Sequence, residues 1–130
     1  MPKGLRLEQV TPENVRAACQ LLIYNGDELV GFIMAAFDPG NADDLYHSYL
    51  WRLNIGADHQ GEGYGRFAVE CLCQEVLRRG QYRLTVSYHL DQHGPEGFYL
   101  NLGFRRTGKE NQGEIIAERI LVTNTKPGVP

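Results

Sequence analysis

The chain has 130 residues, 42% hydrophobic and 22% charged, with a formal net charge of −3. That is enough for one domain with its own core, and the charge balance leaves no basic footprint for nucleic acid. No apolar run approaches membrane-spanning length, and Met1-Pro2-Lys3-Gly4-Leu5-Arg6 lacks the core of a signal peptide, so a cytoplasmic protein is expected. Cys19, Cys71 and Cys73, and likewise His47, His59, His89 and His93, follow neither zinc-ligand nor disulfide spacings. Free thiols and no metal are the expectation.

In chain order, the alternation of residues 5–10 predicts a first strand. Thr11-Pro12 sets a capping hydroxyl before a proline and predicts a short helix to about residue 20. Residues 21–24 and 29–37 read as two strands joined through Asn25-Gly26, a strong hairpin signal. Asp38-Pro39-Gly40-Asn41 breaks the chain. Residues 47–55 then predict a fourth strand buried on both faces in mid-sheet.

Residues 64–79 form the clearest helix, with Phe67, Ala68, Cys71, Leu72, Glu75 and Val76 as the expected inner stripe and Gly80 as the cap. Residues 82–89 predict a fifth strand. A strand, a helix and a strand in this order make a right-handed crossover, so the fourth and fifth strands should be parallel. A short helix over residues 95–102 follows. Strands over 104–107 and 115–122 are joined through a turn-rich stretch at 108–113, and 123–130 read as a frayed tail. The expected class is α/β (α+β), with residues 1–122 forming one domain.

Gln60-Gly61-Glu62-Gly63-Tyr64-Gly65-Arg66 stands between the fourth strand and the long helix. Glycine admits positive φ and close approach to the backbone, and the first N–H groups of a helix lack partners and favour anions. A phosphate or pyrophosphate is the natural guest. The dinucleotide fingerprint fails because Arg66 takes the place of its third glycine, and no Gly-Lys-Ser/Thr of a P-loop follows. What fits is Gln/Arg-x-x-Gly-x-Gly/Ala. Downstream, Pro95-Glu96-Gly97-Phe98-Tyr99-Leu100-Asn101-Leu102-Gly103-Phe104 carries Phe/Leu-Tyr-x-x-x-Gly-Phe.

These two motifs, in this order around a βαβ unit, resemble the GCN5-related N-acetyltransferase (GNAT) superfamily. Trp51-Arg52-Leu53-Asn54-Ile55, Pro95-Glu96-x-Phe98-Tyr99 and Gly113-Glu114-Ile115-Ile116 are similar to the bacterial spermine/spermidine acetyltransferases within it. The resemblance covers roughly residues 21–122. It implies a mixed, mostly antiparallel sheet flanked by helices, whose fourth and fifth strands splay at their C-terminal ends. Acetyl-coenzyme A would enter that wedge along the backbone of Leu53, Asn54 and Ile55. Its pyrophosphate would rest on Gly61, Glu62, Gly63, Tyr64, Gly65 and Arg66, with Gln60 closing the turn, and Phe98 and Gln92 would also border the coenzyme.

Two departures stand out. The family carries two helices between its first and second strands, and only about ten residues are free for them here. That leaves the acceptor wall open or supplied by a partner subunit, and a homodimer is expected from the family. Gln92 stands where the family has asparagine.

The chemistry implied is acetyl transfer to a primary amine of a small molecule, such as a polyamine, by direct attack in a ternary complex. Such an amine has a pKa near ~10, so about one molecule in a thousand is neutral at pH 7, a cost of roughly 4 kcal/mol. A base is therefore needed, and His47, Ser87, His89 and Glu96 are the candidates. By the resemblance, Tyr99 donates a proton to the departing thiolate, and the N–H of Ile55 is a candidate donor to the carbonyl oxygen. Asp38, Asp43 and Asp44 could attract a cationic acceptor, and Trp51 could stack on one. A coenzyme-binding module without acceptor chemistry, and an enzyme acting on a protein amine, are the alternatives.

Overall fold

The structure is a computed structural model that describes residues 5–10 and 18–121, with side chains from residue 21 onward. The elements in order are β1 (Leu5–Val10), β2 (Ala18–Asn25), β3 (Glu28–Phe37), β4 (Ser48–Ile55), α1 (Tyr64–Arg78), β5 (Arg83–Tyr88), α2 (Glu96–Asn101), β6 (Arg105–Asn111) and β7 (Glu114–Ile120). The strands form one sheet in the order β1-β2-β3-β4-β5-β7-β6. Every neighbouring pair is antiparallel except β4 and β5.

The expected helix to residue 20 is corrected at its end. Ala18, Cys19 and Gln20 belong to β2, because that strand finds ladder partners on both sides, Val10 opposite Gln20 and Ala36 opposite Ala18. Backbone pairing along the ladder satisfies these residues as strand. Residues 11–17, and the expected tail at 123–130, lie outside the described residues. The Asn25-Gly26 hairpin forms as expected, with Gly26 at φ +65° and Asn25 opposite Glu28. In the last hairpin β6 runs on to Asn111, and the tight turn is made by Gln112 and Gly113, both at positive φ.

β4 departs from expectation in a way that shapes the site. Met34 pairs with Arg52 and Ala35 with Leu50, so Trp51 is an extra residue, a bulge. Leu50 and, beyond the bulge, Leu53 pack with the core, whereas Trp51 is 54% exposed and Arg52 is exposed. Burial on both faces therefore fails in the second half of the strand. The parallel ladder to β5 is short as well. Only Tyr49–Thr85 and Leu50–Val86 pair, after which the two strands separate.

α1 covers one face of the sheet. Tyr64, Ala68, Val69, Leu72, Cys73 and Val76 are its buried residues, and they pack in one cluster with Ile33, Ala35, Leu50, Leu84, Val86, Phe104 and Ala117. Fully burying a Leu or Val side chain contributes about 1.5–3 kcal/mol. The stripe is rolled relative to the expected one, with Val69 and Cys73 inside and Phe67 and Cys71 half-buried. Glu75 explains the roll. It sits at the solvent edge, where its carboxylate accepts from Arg78 and Arg79. Gly80, at φ +83°, ends the helix as its N–H bonds the carbonyl of Leu77. No helix among the described residues is long and apolar enough to cross a membrane.

Gly31 lets β3 approach the end of β4. A Cβ there would lie 2.3 Å from the Asn54 carbonyl oxygen and 3.0 Å from Ile55 Cα. Gly31→Ala should therefore destabilise the protein by about 1–3 kcal/mol in urea denaturation. Gly97→Ala, in α2 with open space around it, should be neutral or stabilise by up to about 1 kcal/mol.

Candidate functional site

The glycine turn is held in shape from three sides. Gly61 and Gly63 take φ of +83° and +86°, and Gly63 is the N-terminal cap of α1. Gln60 donates its side-chain amide to the Ile55 carbonyl at 3.0 Å, which closes the turn onto the end of β4. The tip of the β2–β3 hairpin braces it from behind, with Asn25 Nδ2 donating to Tyr64 Oη at 2.9 Å and Glu28 lying 3.3 Å from His59 Nε2. The first bond of α1 runs from the Phe67 N–H to the Gly63 carbonyl. The N–H groups of Tyr64, Gly65 and Arg66 are thus left at the open end of the helix.

In front of this turn lies a cavity of about 510 Å³. Leu53, Asn54 and Ile55 form one wall, Gln60, Gly61, Gly63, Tyr64, Gly65 and Arg66 the end, and Phe98 and Tyr99 the other wall. Gly65 lies close under Phe98, so that a Cβ there would stand 3.1 Å from the ring and press on it. Arg66 is exposed. Glu62 and Gln92 are exposed and do not line the cavity, so these two of the expected contacts are not brought to it. His59, Pro95, Asn101 and Leu102 border it without having been expected to.

Tyr99 is 6% exposed, stacks on Tyr88 at 5.6 Å and meets Phe98 and Phe104 edge-on. Burial, with Tyr88 as the lesser cause, pushes its hydroxyl up to about 12. It therefore stays protonated throughout the physiological range. Tyr88 is likewise pushed up to about 12, first by burial and then by the Glu96 carboxylate, to which its hydroxyl donates at 2.7 Å.

A second cavity of about 600 Å³ opens on the opposite face of the sheet, lined by Phe32, Met34, Tyr49, Trp51, Arg52, Ser87, His89, Asn111, Gln112 and Glu114. Strand alternation explains the segregation. Phe32, Met34, Ser87 and Glu114 alternate with Ile33, Ala35, Val86 and Ile115, which pack toward the helices. The gap where β4 and β5 part lies between the two cavities, since consecutive stretches of β4 line one and then the other.

The base candidates separate clearly. His47 precedes β4, roughly 26 Å of strand away from Ile55, and its Nε2 sits 2.9 Å from the Asn41 carbonyl oxygen. Glu96 is held at about 2, first by the Arg106 guanidinium, which donates two 2.7 Å bonds, and then by the Tyr88 hydroxyl, which makes it a poor proton acceptor. Ser87 is hydrogen-bonded to the Tyr49 hydroxyl. His89 lies 3.2 Å from the Glu114 carboxylate at the rim of the second cavity. Asp38, Asp43 and Asp44 fall at the His47 end of the sheet. There Asp43 caps a 3₁₀ turn by accepting from the Leu45 N–H, and Asp38 accepts from Asn41. They line neither cavity. Among the described residues, no group of three or more His, Cys, Asp or Glu side chains could hold a metal ion.

A sheet parted between two parallel strands, with the open start of a helix and a buried tyrosine lining the same cavity, makes a site suited to an anionic ligand. The model of the acetyltransferase (GNAT) family matches residues 5–104, and the chain belongs to that family. It is 24% identical over 96 residues to N-acetyltransferase 8B of Mus musculus and 25% identical over 85 residues to N-acetyltransferase 8F1 of Rattus norvegicus. Those alignments take in 74% and 65% of this chain but 41% and 38% of the relatives, so the chain spans about two fifths of their length. An acetyltransferase from Thermus thermophilus superposes with a TM-score of 0.71 at 28% identity, over 84% of this chain and 68% of that one. The PaiA N-acetyltransferase from Thermoplasma acidophilum, solved in complex with coenzyme A, shares the fold at a TM-score of 0.68 and 16% identity, over 80% and 61%.

The Glu96 and Glu75 carboxylates are both held at about 2 in the folded protein, below their ordinary 4.5, chiefly by arginine partners. Their contribution to stability is therefore complete above about pH 4.5 and is lost as pH falls toward 2. Glu96→Gln should flatten the fall in denaturation midpoint between pH 4.5 and 2, leaving the part due to Glu75.

Proposed function

We propose that the chain is an acetyl-coenzyme A dependent N-acetyltransferase acting on a primary amine of a small molecule, by direct attack in a ternary complex. The observation that carries this reading is the buried, protonated Tyr99 facing the same cavity as the glycine turn, beside the gap that leads to the second cavity. The coenzyme would occupy the first cavity, with its pyrophosphate on the N–H groups of Tyr64, Gly65 and Arg66. The acceptor would occupy the second.

The amine nitrogen attacks the thioester carbonyl, the C–N bond forms and the C–S bond breaks. His89, backed by Glu114, is the best-positioned of the candidates to take the ammonium proton. A tyrosine at about 12 lies roughly 3 to 4 above an ordinary thiol, so complete transfer to the sulfur would cost about 5 kcal/mol. Tyr99 accordingly acts as a hydrogen-bond donor to the leaving sulfur, and its proton moves fully only as burial raises the basicity of the thiolate.

A polyamine acceptor is a narrower reading, favoured by the exposed Trp51 and by Glu114 in the second cavity. Arg52 weighs against it. A second ammonium held 4 Å from a guanidinium costs about 4 kcal/mol at an effective dielectric of 20.

Two measurements test the proposal. Tyr99→Phe should lower kcat by about 100-fold or more in a thiol-release assay, with coenzyme A affinity by calorimetry nearly unchanged. An unaltered rate would instead favour a coenzyme-binding module, as would binding without turnover of any amine or peptide. Gly63→Ala forces a side chain into the left-handed region at a cost of about 1–3 kcal/mol, and coenzyme A should bind about ten-fold more weakly.

A further inference from the structure

Arg52 is the unused charge of the second cavity. Its side chain is exposed there, and its guanidinium makes no ion pair or hydrogen bond with any described residue. Its position follows from the bulge. Regular alternation from Leu50 would point Arg52 toward the helices and the core, where an unpaired guanidinium is costly. The extra residue Trp51 turns it instead onto the face of its partner Met34. Across the cavity, on the far side of the gap, Glu114 of β7 is paired with His89. The cavity thus presents a free cation on β4, a carboxylate–imidazole pair beyond β5, and the apolar surfaces of Met34 and Trp51.

That arrangement is complementary to a molecule with opposite charges at its two ends. We infer that the acceptor is a small amine that also carries a carboxylate, with the carboxylate seated on Arg52 and the amine directed toward His89 and Glu114. A planar guanidinium binds a carboxylate through two parallel hydrogen bonds, which a lysine cannot reproduce. The inference rests on the second cavity being the acceptor site, as proposed above, and narrows the acceptor class at that site.

Trp51 is the only tryptophan of the chain and borders the cavity, so its fluorescence reports acceptor binding without any need for turnover. The titration uses the full chain saturated with coenzyme A. The probes are a panel of amino acids with differing side chains, the amide of each, the corresponding decarboxylated amines, and spermidine. At least one amino acid should bind ten-fold or more tightly than its own amide and amine. Arg52→Gln should erase that ratio while leaving the amide affinities in place, and Arg52→Lys should restore only part of it. With acetyl-coenzyme A, kcat/KM should follow the same order. The inference is overturned if no amino acid binds better than its amide, if spermidine binds best, or if Arg52→Gln weakens all probes equally. Carboxylate-selective binding without acetyl transfer would remove the proposed function and leave the selectivity of the cavity standing.

Discussion

Two pairs of residues hold β4 and β5 together, and the rest of the molecule depends on where that ladder stops. Beyond Leu50 and Val86 the strands share no backbone ladder, and the Tyr49–Ser87 side-chain bond stands at the point where they part. The bulge at Trp51 bends β4 away and re-aims every side chain after it. A parallel sheet normally closes its own backbone bonds along the full strand. Here the second half of β4 is committed to β3 alone, which leaves its other edge for a guest. Gly31 reinforces this choice, because its missing side chain lets β3 draw β4 close at Asn54 and Ile55.

The polar groups around the gap divide into those already engaged and those free to act. Glu96 is locked by Arg106 and Tyr88, which fixes the start of α2 to the sheet and so positions Phe98 and Tyr99. Tyr99 has aromatic neighbours on several sides, and its burial keeps the proton on. Structure-building electrostatics therefore sit behind the wall of the first cavity. His89 and Arg52 stand at the second, the one paired only across a strand and the other unpaired among the described residues.

Much of this is legible from residue order. The Asn25-Gly26 hairpin, the β–α–β crossover and the glycine turn are local signals, each fixed by a few neighbouring residues. They lead to the sheet, the helix start and most of the first cavity. The failures are non-local. Ala18 to Gln20 join β2 because β3 supplies partners for all three and β1 a second one for Gln20, which no window of sequence contains. The Trp51 bulge has no signature in Trp-Arg-Leu, so Arg52 reads as mid-sheet and its place in a cavity goes unseen. Likewise, nothing near Glu96 in the sequence announces that Arg106 will neutralise it.

The brace formed by Asn25 on Tyr64 and by Glu28 on His59 joins segments far apart in the chain. The glycine turn is thus only as firm as the hairpin behind it, and the hairpin belongs to the β1–β2–β3 side of the sheet, away from β5 and β7. Anything that grips the turn also grips that hairpin. A guest on the helix start would therefore slow amide exchange in β2 and β3, strands it never touches, and fraying at that edge would in turn loosen its hold on the guest.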